Sequence, residues 1–359
     1  MKVLIFTEEK VGEGHYQAAN ALKKAFEKDL SNVQVKLVYG LRCIHPLIEW
    51  IVVKFYFFIL HYFPFIWKWM YIKTKKSSFI QTHFFAFRLM KLIKEENPSI
   101  IICTHPSCIP ALSLLKRKGL FQFRLGVVTT DFDFHPSVPS SQIDYFFVAH
   151  DQVKQKLIKQ FHIPSSKVFD YGIPLRDEFD LKLKNVKPKE SKKKYQILVV
   201  GGSTGYGPIE KIIKTFEPFE DRYSLTVITG KNKELYHQIK QRNSPHVKLL
   251  GYVNNMEEWV QYADLVITKP GGLTISEIIA CGTPFIIIDP IPGHEEANAR
   301  FLEEQRLGIV ARDIPSLPYQ VQQLMENTQN LREWKKRIIA QQKKNSARHI
   351  VTTITQQTY

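Results

Sequence analysis

Apolar residues recur along this chain in short unbroken runs, separated by longer stretches in which the apolar positions fall three or four apart. The first pattern predicts strands buried on both faces, and the second predicts helices that cover them. Val3–Phe6, Val33–Val38, Ile100–Cys103, Leu125–Thr129 and Tyr145–Val148 read as strands of one sheet. Ile197–Val200, Leu225–Ile228, Lys248–Leu250, Leu265–Ile267 and Phe285–Ile288 read as strands of another. Strand and helix alternate almost throughout, so each half is predicted to be an α/β, Rossmann-like unit with a parallel sheet. A chain of 359 residues is also longer than one core usually serves. Leu181–Lys194, with seven lysines and few apolar residues, reads as the exposed connection. The predicted organisation is therefore 1–180, a linker at 181–194, a second domain at 195–330 and a C-terminal helix at 331–359. Two helical patterns follow Pro318, at Tyr319–Asn327 and from Leu331 to about Ile350.

One stretch departs from this alternation. From Trp50 to Tyr71 eleven aromatics stand among Ile, Val and Leu. The charge-free run Phe55–Trp67 is thirteen residues long and contains His61 and Pro64, whereas a spanning helix needs about 20 apolar residues. Nine Lys or Arg and a single Glu lie between Arg42 and Lys94. An aromatic surface beside a basic one suits a segment lying in the interface of an anionic membrane. Trp50, Phe55, Phe58, Phe65, Trp67, Trp69, Lys73, Lys75 and Lys76 are the candidate contacts. A core helix with a solvated basic flank is the alternative.

Charge widens the choice of partner before chemistry narrows it. Fifty Lys and Arg against 34 Asp and Glu leave a formal charge of +16, which calls for an anionic partner: nucleic acid, lipid headgroups or phosphorylated substrates. A nucleic-acid binder would interleave aromatic and basic residues on an exposed sheet, whereas here the aromatics form one block. Four cysteines, Cys43, Cys103, Cys108 and Cys281, have neither metal-ligand spacing nor the density of a disulfide framework. Met1–Thr7 reads as a first buried strand and not as a signal peptide, so a cytoplasmic protein is expected.

In open parallel sheets ligands bind at the carboxyl ends of strands, and three loops there carry chemistry. The first is Glu8–His15, with Gly12 and Gly14 and with His15 on the first turn of a helix, where an imidazole can act as a base near neutral pH. A plain helix cap is its alternative. The second, Gly201–Pro208, puts four glycines, Ser203 and Thr204 ahead of a helix, a set of backbone donors suited to a diphosphate. It lacks the Gly-Lys-Ser/Thr ending of a P-loop. The third begins at Thr268 and runs through Lys269, Gly271, Gly272, Leu273 and Thr274 to Glu277, a carboxylate placed to take two ribose hydroxyls. It resumes at Pro290 with His294, Glu295 and Asn298 opening another helix, with polar side chains expected to project toward the same site. Capping is the alternative for Glu277 and Asn298.

Taken in order, Gly12-Glu13-Gly14-His15, Thr130-Asp131-Phe132, Tyr171-Gly172-Ile173-Pro174, Gly201-Gly202-Ser203, Lys269-Pro270-Gly271-Gly272-Leu273-Thr274 with Glu277, and Pro292-Gly293-His294-Glu295 resemble the motifs of monogalactosyldiacylglycerol synthases and processive diacylglycerol glucosyltransferases. More distantly they resemble the MurG peptidoglycan enzyme. The resemblance implies a GT-B fold, two Rossmann-like domains facing across a cleft, with the C-terminal helix packing back toward the first domain. It implies an inverting transfer of a hexose from a UDP-sugar to a membrane lipid, with diacylglycerol as the leading acceptor and no metal or other cofactor. It places the enzyme at the inner face of the cell membrane.

By the same resemblance His15 is the base that deprotonates the acceptor, and Asp131 is the acidic residue beside the acceptor. Gly202 and Ser203 match the diphosphate loop, with Gly201 and Thr204 beside them as donor-site candidates, Glu277 matches the ribose carboxylate, and Glu295 the residue by the transferred sugar. Tyr252 and Val253 follow the strand whose end reads the uracil, and Gly14 joins the donor site. Two departures stand out: His294 replaces a Gln common in the family, and a Trp expected after His135 is missing from Pro136–Pro139. The chain is also somewhat short, which bears on processivity. Another lipid or polyprenyl acceptor, a UDP-N-acetylglucosamine epimerase and a basic nucleic-acid-binding protein are the competing readings.

Overall fold

The computed structural model describes residues 1–10, 12–73, 79–135, 138–181, 194–242, 244–311 and 313–356, apart from the side chains at 61, 64, 71–73, 180 and 181. Residues 182–193 of the expected linker at 181–194, Lys75, Lys76 and the side chain of Lys73 therefore lie outside the described residues. The chain divides into two compact units. The first takes Met1–Asp177, Pro292–His294 and Lys343–Tyr359, and the second takes Glu178–Ile291 and Glu295–Gln342.

In the first unit six strands form one parallel sheet: β1 (Lys2–Thr7), β2 (Gln34–Tyr39), β3 (Ile100–Cys103), β4 (Arg124–Val128), β5 (Tyr145–Phe147) and β6 (Val168–Phe169), in the order β2-β1-β3-β4-β5-β6. Helices α1 (Glu13–Asp29), α2 (Gly40–Ile44), α3 (Pro46–Tyr62), α4 (Pro64–Lys73), α5 (Phe79–Glu96), α6 (Ile109–Arg117) and α7 (Asp151–Phe161) connect or follow these strands, and α8 (Asp177–Leu181) belongs to the second unit from Glu178 onward. Successive side chains of β1 point to opposite faces, and both faces are covered. Leu4 and Phe6 join a core with Leu89 and Ile93 of α5 and Leu112 of α6. Val3 and Ile5 join another with Ala19, Leu22 and Phe26 of α1. Burial on both sides is why β1 has no polar residue between Lys2 and Thr7; each buried Leu, Ile or Phe contributes about 1.5–3 kcal/mol.

The second unit repeats the arrangement with β7 (Tyr195–Val200), β8 (Tyr223–Ile228), β9 (Val247–Leu250), β10 (Leu265–Thr268), β11 (Phe285–Ile287) and β12 (Ile309–Val310), in the order β12-β11-β10-β7-β8-β9. Its helices are α9 (Ile209–Phe216), α10 (Lys233–Gln241), α11 (Met256–Tyr262), α12 (Gly272–Cys281), α13 (His294–Glu304), α14 (Leu317–Glu326) and α15 (Thr328–Ala340). This is the doubly wound Rossmann order, in which the chain reverses direction across the sheet between β7 and β10. In the first unit the reversal falls between β1 and β3.

The ten predicted strands are present, and β6 and β12 are additional. Each is two residues long, too short to show a hydrophobic period. The pattern from Leu331 to about Ile350 is not one helix but α15 followed by α16 (Ser346–Gln356). The chain turns before α16 at Asn345, which has a left-handed φ of 54°, a conformation Asn tolerates better than most residues. The predicted domain at 331–359 is accordingly shared out. The indole of Trp334 in α15 donates to Leu307 O at 2.6 Å within the second unit, while Ile350, Val351 and Ile354 of α16 complete the α1 core of the first.

Candidate active site

The aromatic stretch folds as two helices, broken where Pro64 cannot donate a backbone hydrogen bond and disfavours helix at Phe63. Trp50, Phe55, Phe58, Phe65 and Trp69 are more than half exposed. Trp67 is only partly exposed: it lines a cavity and meets Tyr56 edge-on at 4.9 Å. The apolar surface also extends to residues the sequence reading passed over. Phe79, Ile80, Phe84 and Phe87 of α5 are 45–79% exposed, whereas Phe85, Ala86, Leu89 and Ile93 face the core. Apolar residues on both faces of α5 were the available signal, since a surface helix needs only one. Among the described residues no helix is long and apolar enough to cross a membrane.

At the reversal point of the first unit, Phe6 of β1 lies opposite Cys103 of β3. The loops leaving these strands therefore start side by side, and Thr104 N donates to Phe6 O at 2.9 Å. One loop enters α1 and carries His15. The other carries Thr104 and His105. Thr104 holds His15 at both ends: its hydroxyl donates to His15 O at 3.0 Å, and its carbonyl lies 2.9 Å from His15 Nδ1. Thr130, leaving β4, places Oγ1 2.7 Å from the same nitrogen. A carbonyl only accepts, so Nδ1 carries the proton, and the lone pair of the neutral ring is on Nε2. That is the tautomer a proton acceptor needs. Burial lowers the His15 pKa, and the charge of Asp131 partly opposes it.

His15 and Asp131 line one cavity of about 550 Å³. Its wall includes Val52, Phe55 and Tyr56 of α3, Trp67 and Met70 of α4, and Phe85 of α5. Two of these, Val52 and Phe55, also belong to the exposed apolar surface. The cavity thus joins the His15 imidazole to the exposed aromatic helices.

Nearby, Glu8 is buried at the end of β1 and accepts from Leu41 N at 2.7 Å and Ser107 Oγ at 3.3 Å. Burial, opposed by these hydrogen bonds and reinforced by Glu49, raises its pKa to about 7. Gly40 is required beside it: a Cβ there would come within 2.5 Å of Cys108 Sγ and 3.0 Å of Glu8 Oε1.

The second unit brings the other predicted loops together in the same way. Val200 of β7 pairs with Thr268 of β10, so the loop from Gly201 and the loop from Lys269 start as neighbours. A Cβ on Gly207 would lie 3.6 Å from the Lys269 side chain. The glycines serve distinct needs. Gly202 has φ +70° in open space, whereas Gly205, at φ +59°, lies so close to Thr229 that a Cβ would sit 2.3 Å from its carbonyl oxygen. Ser203 is tied down by Lys231 N, which donates to Ser203 O at 2.8 Å. Leu273 and Thr274 stand in the first turn of α12, whose N-cap is Gly271 and first residue Gly272, and Glu277 stands half-buried in the next turn.

Three predicted donor residues prove to be buried. Lys269 and Glu295 form an ion pair at 3.3 Å with both side chains under a tenth exposed, and Glu295 also accepts from Ile291 N at 2.8 Å. Lys269 Nζ lies 4.6 Å from the ring centroid of Tyr206. Asn298 is fully buried, and its amide donates to Pro270 O at 2.9 Å. The expectation that Glu295 and Asn298 project as open polar groups is therefore corrected: they brace the turn from Lys269 to Gly272 from behind. His294 is the first residue of α13. Tyr252 and Val253 follow β9, and Lys231 Nζ sits 5.5 Å from the exposed Tyr252 ring. Gly14 lies in the first turn of α1. Among the described residues no group of three or more His, Cys, Asp or Glu could hold a metal ion.

Two doubly wound units with glycine-containing loops at the ends of their strands make the GT-B fold. Solved structures agree on the fold: MurG from Acinetobacter baumannii aligns with a TM-score of 0.67 at 17% identity, covering 99% of this chain and all of that one. UDP-GlcNAc 2-epimerase from Neisseria meningitidis aligns at 0.62 and 15% identity, with 99% and 100% covered. Residues 15–175 match the monogalactosyldiacylglycerol (MGDG) synthase family, and residues 196–357 match the glycosyltransferase family 28 C-terminal domain. The processive diacylglycerol beta-glucosyltransferase of Bacillus cytotoxicus is 30% identical over all of this chain and 94% of its own length. A Bacillus cereus enzyme of the same name is 31% identical over 98% of this chain and 93% of its own. The chain belongs to this family of glycosyltransferases.

Proposed function

We propose that the enzyme moves glucose from UDP-glucose to diacylglycerol at the inner face of an anionic membrane, inverting the anomeric centre without a metal. The observation that carries this reading is the cavity that places His15, with its Nε2 lone pair, and the exposed aromatic helices on one wall. In the proposed reaction the acceptor oxygen attacks the anomeric carbon, the bond to the UDP oxygen breaks, and the acceptor proton passes to His15 Nε2. Negative charge gathers on the departing UDP. The N–H groups of Gly201–Thr204 and of the α12 start supply the stabilisation, because an oriented helix terminus favours an anion. Glu277 takes the ribose hydroxyls, and Tyr252 and Val253 border the base. The neighbouring aromatic and basic residues from Trp50 to Lys94 dock the first unit on lipid, with anionic headgroups favouring the lysines.

The sugar and the acceptor are the finer parts of the reading. The relatives' printed names support glucose and diacylglycerol, while His294 departs from the family pattern at the donor site. Incubating the protein with vesicles of diacylglycerol and anionic phospholipid and a panel of labelled UDP-sugars tests both. A single β-linked glucolipid from UDP-glucose is the expected product. Labelled product only from another sugar nucleotide, or only with a polyprenyl acceptor, would refute that assignment.

A further inference from the structure

His105 stands at the carboxyl end of β3, across the reversal point from His15, and the two rings meet edge-on with centroids 4.7 Å apart. Its Nδ1 accepts from Ser107 N at 3.2 Å, capping the short 3-10 turn Pro106–Cys108. A backbone N–H only donates, so Nδ1 holds the lone pair and the proton of the neutral ring is on Nε2. Burial, helped by His15 and His135, keeps the His105 pKa well below the ordinary histidine value, so the ring stays neutral. The same cavity is therefore lined by two imidazoles in opposite tautomers. His15 offers a lone pair and His105 an N–H. Among the described residues no group pairs with His105 Nε2.

An acceptor needs more than a base: its hydroxyl must be held within reach of His15 in one orientation. A diacylglycerol carries beside that hydroxyl an ester carbonyl, which can only accept a hydrogen bond. We infer that His105 is a positioning residue whose Nε2–H donates to the ester carbonyl next to the reacting hydroxyl, so that the enzyme distinguishes ester-linked from ether-linked glycerolipids. This rests on the diacylglycerol reading above. A site that donates to a carbonyl rejects an analogue lacking it, because the donor, covered once the lipid is bound, is left unpaired. Asp131 and Thr104 are less suited to the task, since one is an acceptor when ionised and the hydroxyl of the other is already committed to His15 O.

Two substitutions separate this role from the cap. His105→Asn keeps an acceptor for Ser107 N and loses the distal N–H, while His105→Gln reaches the distal position with an amide donor. Initial rates are measured on dioleoylglycerol and on its dialkyl ether analogue in vesicles, with UDP-glucose. The wild type is expected to favour the ester by about 10-fold or more in kcat/KM, the range of one hydrogen bond to a buried donor. His105→Asn should bring that ratio near one, mostly through KM for the ester, and His105→Gln should restore part of it. Equal ester and ether rates in the wild type, or an unchanged ratio in His105→Asn, would overturn the inference. Absence of glucolipid from the wild type on either acceptor would instead overturn the acceptor assignment on which it rests.

Discussion

Which nitrogen of His15 is free decides whether the ring can take a proton. Thr104 O fixes the proton on Nδ1, and burial makes the ring harder to protonate. A lowered pKa means that the neutral, proton-accepting form persists to more acidic pH than for an exposed histidine. The acid limb of kcat/KM should therefore fall below about 6.5, the ordinary histidine value; a midpoint at or above it contradicts this role. His15→Ala should lower turnover by about 100-fold or more and leave UDP affinity unchanged, as followed by calorimetry. His15 was legible in the sequence because Gly12-Glu13-Gly14-His15 forms a motif at a strand-to-helix loop. His105 was not, since a lone histidine after Ile100–Cys103 shows nothing until β3 is seen beside β1. Glu295 and Asn298 were legible as polar residues opening a helix after a strand, but only burial shows that they brace the turn from Lys269 to Gly272.

At the scale of elements, two glycines in one loop should behave differently. Gly202→Ala meets only the left-handed backbone penalty, on the order of 1–2 kcal/mol. Gly205→Ala also collides with the Thr229 carbonyl, so it should displace the loop and weaken UDP binding far more. Similar Kd values for the two variants would show that the loop does not hold the diphosphate. The loop ahead of α1 offers a second test through Glu8, whose pKa is raised to about 7 in the folded chain, chiefly by burial. A raised value favours the protonated form, so its contribution is present in full below the unfolded pKa near 4.3 and is lost as pH rises through about 7. Glu8→Gln should therefore gain stability relative to the wild type between pH 6 and 8 in urea unfolding, measured at roughly those two pH values; a constant difference contradicts the assignment. Long buried strands such as β1 and β7 were readable from their apolar runs. The two-residue strands β6 and β12 were not, because pairing and not composition defines them.

For the molecule as a whole, the +16 charge and the aromatic helices make a joint prediction about the membrane. Reversing Lys73, Lys75 and Lys76 should weaken binding to anionic liposomes at low salt and matter little at about 1 M, where the Debye length is about 3 Å. Replacing Phe65 and Trp69 by Ser should weaken it at both salt concentrations, because the loss is apolar area. Binding that persists in both variants, or co-sedimentation with RNA in place of liposomes, would move the partner elsewhere. Two units were legible from the strand pattern, but their boundary, between Asp177 and Glu178, was not, since it precedes the lysine-rich stretch. That α15 and α16 belong to different units was not, since their apolar periods differ in nothing but the turn at Asn345. The central claim is that the glycine-rich loops of the second unit hold the nucleotide while His15 takes the proton of a lipid alcohol. A crystal structure with UDP and a short-chain diacylglycerol tests it most directly. Diphosphate density is expected on the N–H groups of Gly201–Thr204, ribose hydroxyls on Glu277, and the glycerol hydroxyl within hydrogen-bond distance of His15 Nε2. A nucleotide seated on any other loop, or a lipid hydroxyl remote from His15, would contradict it.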